Sequence, residues 1–153
     1  MCDLDRFDIG ILRELAKDGR LSGRELAERI GLSLTPTVRR LHRLEEKEFI
    51  QGYGAQLNEQ LLVGSISVFV SVTLEKQSET VIATFESEVA KCPEVMSCFL
   101  MSGDADYNLR VVVKDLAAYH DFLTRTLTRI PGVAHIKSSF SLRTVLIRPT
   151  PLL

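Results

Sequence analysis

The stretch SISVFVSVTL, residues 65–74, alternates without a break. Ile66, Val68, Val70, Val72 and Leu74 fall on one side; Ser65, Ser67, Phe69, Ser71 and Thr73 fall on the other. A period of two specifies a strand with one face on a core. Before residue 48 the apolar residues instead recur every three to four positions. The chain is therefore expected to change architecture once, near residue 50, from an all-helical part to one built on a sheet.

After that strand the signals repeat. SETVIATFESEVAK places Val81, Phe85 and Val89 four apart, a helix with one apolar stripe. PEVMSCFLMSG and DYNLRVVVK read as strands joined by a turn at Asp104-Ala105. A second helix, DLAAYHDFLTRTLTR, turns Tyr119, Leu123 and Leu127 inward, and VAHIKSSFSLRTVLI reads as the last strand. Both helices exit through similar hinges, Pro93-Glu94-Val95 and Pro131-Gly132-Val133. The order β-α-β-β-α-β with that internal echo predicts a ferredoxin-like domain. Its helices cover one face only. The other carries Phe69 among serines and needs a cover, so a homodimer joined through the sheets is expected.

The first 48 residues predict three capped helices. Asp5 caps the first, with Asp8 three residues on and Leu4 and Ile9 as a hydrophobic staple. Ile11, Leu12 and Leu15 face inward, and Gly19 is expected as a left-handed stop. Ser22 and Glu25 form a capping box on the second helix, with Leu21 and Leu26 as its staple, and that helix ends at Gly31. Ser33 or Thr35 caps the third, where Pro36 sits in the first turn, and Val38, Leu41 and Leu44 are its inward residues. FIQGYGAQLN then reads as a short strand leading into a linker. The fold class is α+β, with a helix-turn-helix (winged-helix-like) domain over 1–50, a linking strand and linker over 51–64, and the ferredoxin-like βαββαβ domain over 65–153.

The formal net charge of −1 gives no global pull toward a polyanion, so any such role rests on a local cluster. GLSLTPTVRRLHRLE supplies one: Arg39, Arg40 and Arg43 occur with no acid until Glu45. With Val38, Leu41 and Leu44 inward, the arginines are expected on the solvent side. Ser33, Thr35 and Thr37 add short donors at the helix start. In a helix-turn-helix the second helix of the pair enters the major groove by its N-terminal end. Arginine grips guanine there, each contact being worth about 1–3 kcal/mol of discrimination, or it grips phosphate and only positions the protein. A solvated basic face is the plainer reading of three arginines. The capped helix before them favours double-stranded DNA, read by a dimer at half-sites roughly one turn or a multiple apart. Arg20 and Arg24 are candidate phosphate contacts.

SGDADY, residues 102–107, is the second informative stretch. A simple turn explains Gly103, Asp104 and Asp106. The same residues can offer backbone N–H groups to an α-carboxylate and a carboxylate to an α-ammonium, with Tyr107 and Leu109 lining the apolar part. Thr124, Thr126, Thr128, Ser139 and Phe140 are weaker candidates.

Other classes find little support. Cys2, Cys92 and Cys98 have no C-x-x-C spacing, and His42, His120 and His135 show no H-E-x-x-H pattern. No metal, cofactor or disulfide framework is expected, and a cytoplasmic, reduced setting follows. No apolar run approaches the ~20 residues of a membrane span, and the acidic N-terminus is not a secretory signal, so no membrane role is expected. GYGAQL lacks the third glycine of a nucleotide loop, and Lys76, Lys91 and Lys137 are scattered. No catalytic constellation is present, so the chain is not expected to be an enzyme.

Residues 4 to about 147 closely resemble the leucine-responsive/AsnC (feast-famine) family of bacterial transcription regulators. The resemblance is carried in order by LDRFDIGILRELAKDGRLS, ELAERIGLSLTPTVRRLHRLEEKEFIQGY, SGDADYNL and IPGVAHIKSSFSL. It implies a sequence-specific DNA-binding regulator of amino-acid metabolism, dimeric and often octameric. It also implies a free amino acid effector bound around the 102–107 turn at subunit contacts. Leu34 departs from the pattern, standing where many members have proline. The domain pair also resembles subunits of sirohaem decarboxylases. That alternative would bind a tetrapyrrole through His120 and His135, and the intact basic helix argues against it.

Overall fold

The computed structural model describes residues 4–148, 150 and 151; Cys2 lies outside them. Two compact units form, one comprising the chain to Gln56 with the tail from Leu146, the other Leu57–Val145. No helix among the described residues is long and apolar enough to cross a membrane.

In the first unit α1 spans Arg6–Lys17, α2 Gly23–Ile30 and α3 Leu34–Glu46. Both expected capping boxes form: Asp5 with Asp8, and Ser22 with Glu25. Ile11, Leu26 and Leu44 are sealed at the centre, with Leu4, Leu12, Leu15, Leu21, Ile30, Leu41 and Ile50 packed around them. Burying one such side chain fully stabilises by about 1.5–3 kcal/mol. Gly31, at φ 72, ends α2 in the left-handed conformation, and α3 follows almost at once.

Three details differ from expectation. The chain leaves α1 at Asp18 in an extended conformation, φ −144, and Gly19 is not left-handed. The Asp18 carboxylate accepts the Arg20 N–H instead, so the exit needs no positive φ. Ser33 occupies the cap position of α3 without a side-chain cap bond. Residues 51–57 form no strand, because nothing in the described chain pairs with them; Tyr53 is held by its hydroxyl donating to Glu45 Oε1 at 2.8 Å.

The second unit opens with a short helix not expected from the sequence, α4 (Glu59–Leu62). It continues as β1 (Ile66–Leu74), α5 (Glu79–Val89), β2 (Val95–Leu100), β3 (Tyr107–Val113), α6 (Leu116–Arg125), a 3-10 turn (Leu127–Arg129) and β4 (Val133–Phe140). The four strands form one antiparallel sheet, ordered β2-β3-β1-β4. This is the ferredoxin-like arrangement. Val68, Val70 and Val72 of β1 and Tyr107, Leu109 and Val111 of β3 are buried with Phe85, Val89, Tyr119, Phe122 and Leu127. The rings of Phe85 and Tyr107 meet at 4.6 Å between centroids. The opposite parity, Phe69 with Arg110 across from it, forms the open face. Arg110 is paired there with Glu59, which lays α4 against that face. β4 stops at Phe140, short of the expected Ile147. Its ladder closes where Ser141 N–H bonds Ser67 O, at the beginning of β1, and among the described residues no further strand remains to pair with.

Candidate nucleic-acid interface and effector turn

The face α3 turns to the core decides what it offers outside. Thr37, not Val38, is fully buried, alongside Leu44 and partly buried Leu41. A threonine is tolerated there because its hydroxyl donates to Ser33 O at 2.9 Å, satisfying it within the helix. Thr37 is thus removed from the DNA-facing candidates. At 3.6 residues per turn, the side opposite Thr37, Leu41 and Leu44 carries Thr35, Arg39, His42 and Glu46. An open groove of about 650 Å³ runs along it, with Leu34 and Val38 on its flank. Ser33 and Thr35 are exposed at its start.

The three arginines separate. Asp8, on α1 and 1% exposed, receives Arg40 Nη1 on Oδ1 at 2.9 Å and Arg43 Nη2 on Oδ2 at 2.5 Å. Arg40 Nη1 also reaches Asp5 Oδ2 at 2.6 Å, and its guanidinium lies 5.5 Å from the centre of the Phe7 ring. Asp8 and then Asp5 hold the Arg40 pKa above its ordinary value. Arg40, expected on the solvent side, is therefore a clamp between α3 and α1, and Arg43 shares it while remaining exposed. Arg39 is exposed and has no ion-pair partner among the described residues. His42 was missed in the sequence, although its place three residues after Arg39 puts it on the same side. It faces outward, 3.3 Å from Glu45. Arg20 and Arg24 are exposed, Arg24 lying 3.9 Å from Glu28.

The 102–107 stretch is also redistributed. Ser102, Gly103 and Asp104 are exposed. Asp106 is not: its carboxylate accepts the Leu74 N–H at 2.6 Å and Gln77 Nε2 at 2.5 Å. The Asp106 N–H bonds Val72 O, and its carbonyl accepts from Met101. Asp106 therefore ties the turn to the end of β1 rather than offering its charge outward. Tyr107 and Leu109 share the parity of Val111 and Val113 and lie in the core, not along an open turn. Burial first, then the Glu86 carboxylate its hydroxyl meets at 2.8 Å, pushes the Tyr107 pKa up. Of the five expected effector residues, Gly103 and Asp104 remain presented to solvent. The Thr124 and Thr128 hydroxyls bond back to carbonyls one turn earlier. Thr126 is exposed just beyond α6, Ser139 lies on the open sheet face, and Phe140 stacks edge-on against Tyr119 at 5.3 Å.

His120 is exposed on α6, in the helix layer, whereas His135 is opposite Thr73 on the open sheet face, so the fold does not gather them. No group of three or more potential metal ligands occurs among the described residues. Cys92 and Cys98 are unpaired, and burial raises both thiol pKa values.

Comparison with known proteins matches both units. Residues 4–51 fit a winged helix-turn-helix DNA-binding model, and residues 67–151 fit the Lrp/AsnC ligand binding domain. The chain is 63% identical over 151 residues to the Bkd operon transcriptional regulator of Pseudomonas aeruginosa, covering 99% of both chains. It is 50% identical over 131 residues to the leucine-responsive regulatory protein of Escherichia coli, covering 86% of this chain and 80% of the relative. A transcriptional regulator from Neisseria meningitidis, solved as a complex with L-Met, superposes with a TM-score of 0.93 at 34% identity, covering 98% of this chain and 97% of that one. The chain belongs to the Lrp/AsnC family of DNA-binding transcriptional regulators with an amino-acid ligand-binding domain.

Proposed function

We propose that this chain controls a bkd operon, and that an aliphatic L-amino acid bound at the Gly103-Asp104 turn sets how its dimer holds DNA. The observation that carries the DNA half is the outward side of α3, where Arg39, with no ion-pair partner among the described residues, stands beside Thr35 and His42. The operon follows the relative matched end to end. The effector class follows a leucine-responsive relative and a neighbour holding L-Met, two amino acids with flexible apolar side chains. The dimer forms through the open sheet face, where Phe69 and Phe99 are 43% and 60% exposed. An octamer needs a second surface, and exposed Met96, Leu100 and Met101 at edge strand β2 supply apolar area for it. The protein works in the cytoplasm, where the DNA is. It is not an enzyme: a tetrapyrrole decarboxylase would need His120 and His135 brought together.

An effector can shift DNA binding only by preferring one arrangement of the heads. In a titration of labelled DNA upstream of the operon, one aliphatic L-amino acid is expected to change the DNA dissociation constant by about 5–150-fold. Asp104→Ala is expected to abolish that response while leaving ligand-free DNA binding intact. An undiminished response in the variant would remove the turn as the effector site, and a colourless purified protein agrees with the absence of a tetrapyrrole.

A further inference from the structure

Leu34 is the first residue of α3, and 50% of its surface is exposed. It is no loose surface residue. Gly23, in the first turn of α2, leaves a space into which Leu34 and Val38 lean: a Cβ there would stand 3.4 Å from Leu34 Cδ1 and 3.3 Å from Val38 Cγ2. Leu34 and Val38 are four apart, hence neighbours on one flank of the helix. Together they make an apolar ledge along the groove that also holds Thr35, Arg39 and His42.

We propose that Leu34, backed by Val38, reads the 5-methyl group of a thymine in the major groove. The proposal rests on α3 being the helix that enters DNA. The N-terminal end of that helix meets base edges. Among the groups displayed there, the thymine methyl is the one alkyl group; apart from the small cytosine C5–H, the others are hydrogen-bond donors or acceptors. A leucine set against a cytosine amino group or a guanine carbonyl would strip water from it and return no hydrogen bond. Against thymine it covers the methyl and leaves the polar edge of that base pair to Thr35. Leu34 thus supplies preference at one base pair, while the arginine supplies it at another.

The test uses the full-length protein and the duplex it selects from a random pool. Each thymine is replaced singly by deoxyuridine, which keeps every hydrogen-bonding group and lacks only the methyl. At one thymine per half-site, the replacement is expected to weaken the wild-type protein about three- to five-fold. Leu34→Ala should bind thymine and uracil equally at that position and keep its response elsewhere. Leu34→Met, still apolar, should retain most of the difference. The same uracil penalty in wild type and Leu34→Ala, or no penalty at any thymine, overturns the proposal while leaving α3 as the DNA helix. Failure of the wild type to retain any duplex in dilute buffer would bring down both.

Discussion

Replacing Asp8 by alanine is expected to destabilise the N-terminal unit by about 3 kcal/mol and to weaken DNA binding more than ten-fold. Asp8 accepts from three donors: the Asp5 N–H, Arg40 and Arg43. Breaking a buried ion pair from one side costs about 3–5 kcal/mol. The lower end applies here because the Arg40 and Arg43 side chains, 22% and 45% exposed, can turn to water. DNA binding suffers because the same carboxylate fixes α3 against α1. Asp8→Asn keeps the shape and one acceptor oxygen, and should lose roughly half as much. Amide exchange across α1–α3 reads the loss in this unit directly; unchanged protection in Asp8→Ala would show that the clamp contributes nothing. Acid should act in the same direction. Asp5 is held below its ordinary pKa first by the Asp8 N–H, Glu14 by Lys17 and Glu25 by Ser22. Groups with a depressed folded pKa stabilise fully above their unfolded values, about 4 to 4.5. That contribution is lost as pH falls through the lowered folded values.

Asp106→Ala is expected to cost the second unit a similar amount, about 3 kcal/mol, and to silence the effector response. The substitution leaves the Leu74 N–H buried with no acceptor, about 1–3 kcal/mol, and removes a charge-assisted bond from Gln77 as well. It also removes the side-chain tie between the turn and the end of β1, leaving the backbone bond from the residue 106 N–H to Val72 O as the remaining link. Asp106→Asn should be milder, near 1 kcal/mol, because its oxygen still serves Leu74 and the Gln77 amide can rotate to present its own. Asp104→Ala, exposed on the same turn, should change stability by less than about 0.5 kcal/mol. Urea titrations of the three variants separate these cases. Equal midpoints for Asp106→Ala and Asp104→Ala would mean that the buried carboxylate holds nothing together.

The two capping boxes, the alternation of β1 and most of the helix stripes were legible in the sequence because they are local, each depending on residues within four positions of one another. The order of elements and the ferredoxin-like sheet followed from them. The Gly19 stop, the Ser33 cap bond and the inward place of Val38 did not form as expected. What stayed hidden depends on partners far along the chain. Arg40 looked exposed because helix periodicity cannot show that Asp5 and Asp8, more than thirty residues earlier, come to meet it. Asp106 looked like a ligand carboxylate because the Leu74 N–H that takes it lies two strands back. Two further features carry a local signal. Tyr107 and Leu109 carry the same period-two parity as Val111 and Val113, which assigns them to the core. FIQGYGAQLN holds two glycines, Gly52 and Gly54, and no clean period-two alternation, which already weakened it as a strand.

On the reading proposed here, α3 reads DNA with its Arg39 side while Arg40 serves the fold. Binding of Arg39→Ala and Arg40→Ala to the selected duplex and to every single-base-pair variant of it tests this most directly. Arg39→Ala should lose its preference at one base pair per half-site, a change of about 1–3 kcal/mol. Arg40→Ala should keep the full pattern of preference, with any weakening uniform across sequences and matched by a lower melting temperature. Relaxed choice in Arg40→Ala with preserved choice in Arg39→Ala would contradict the assignment.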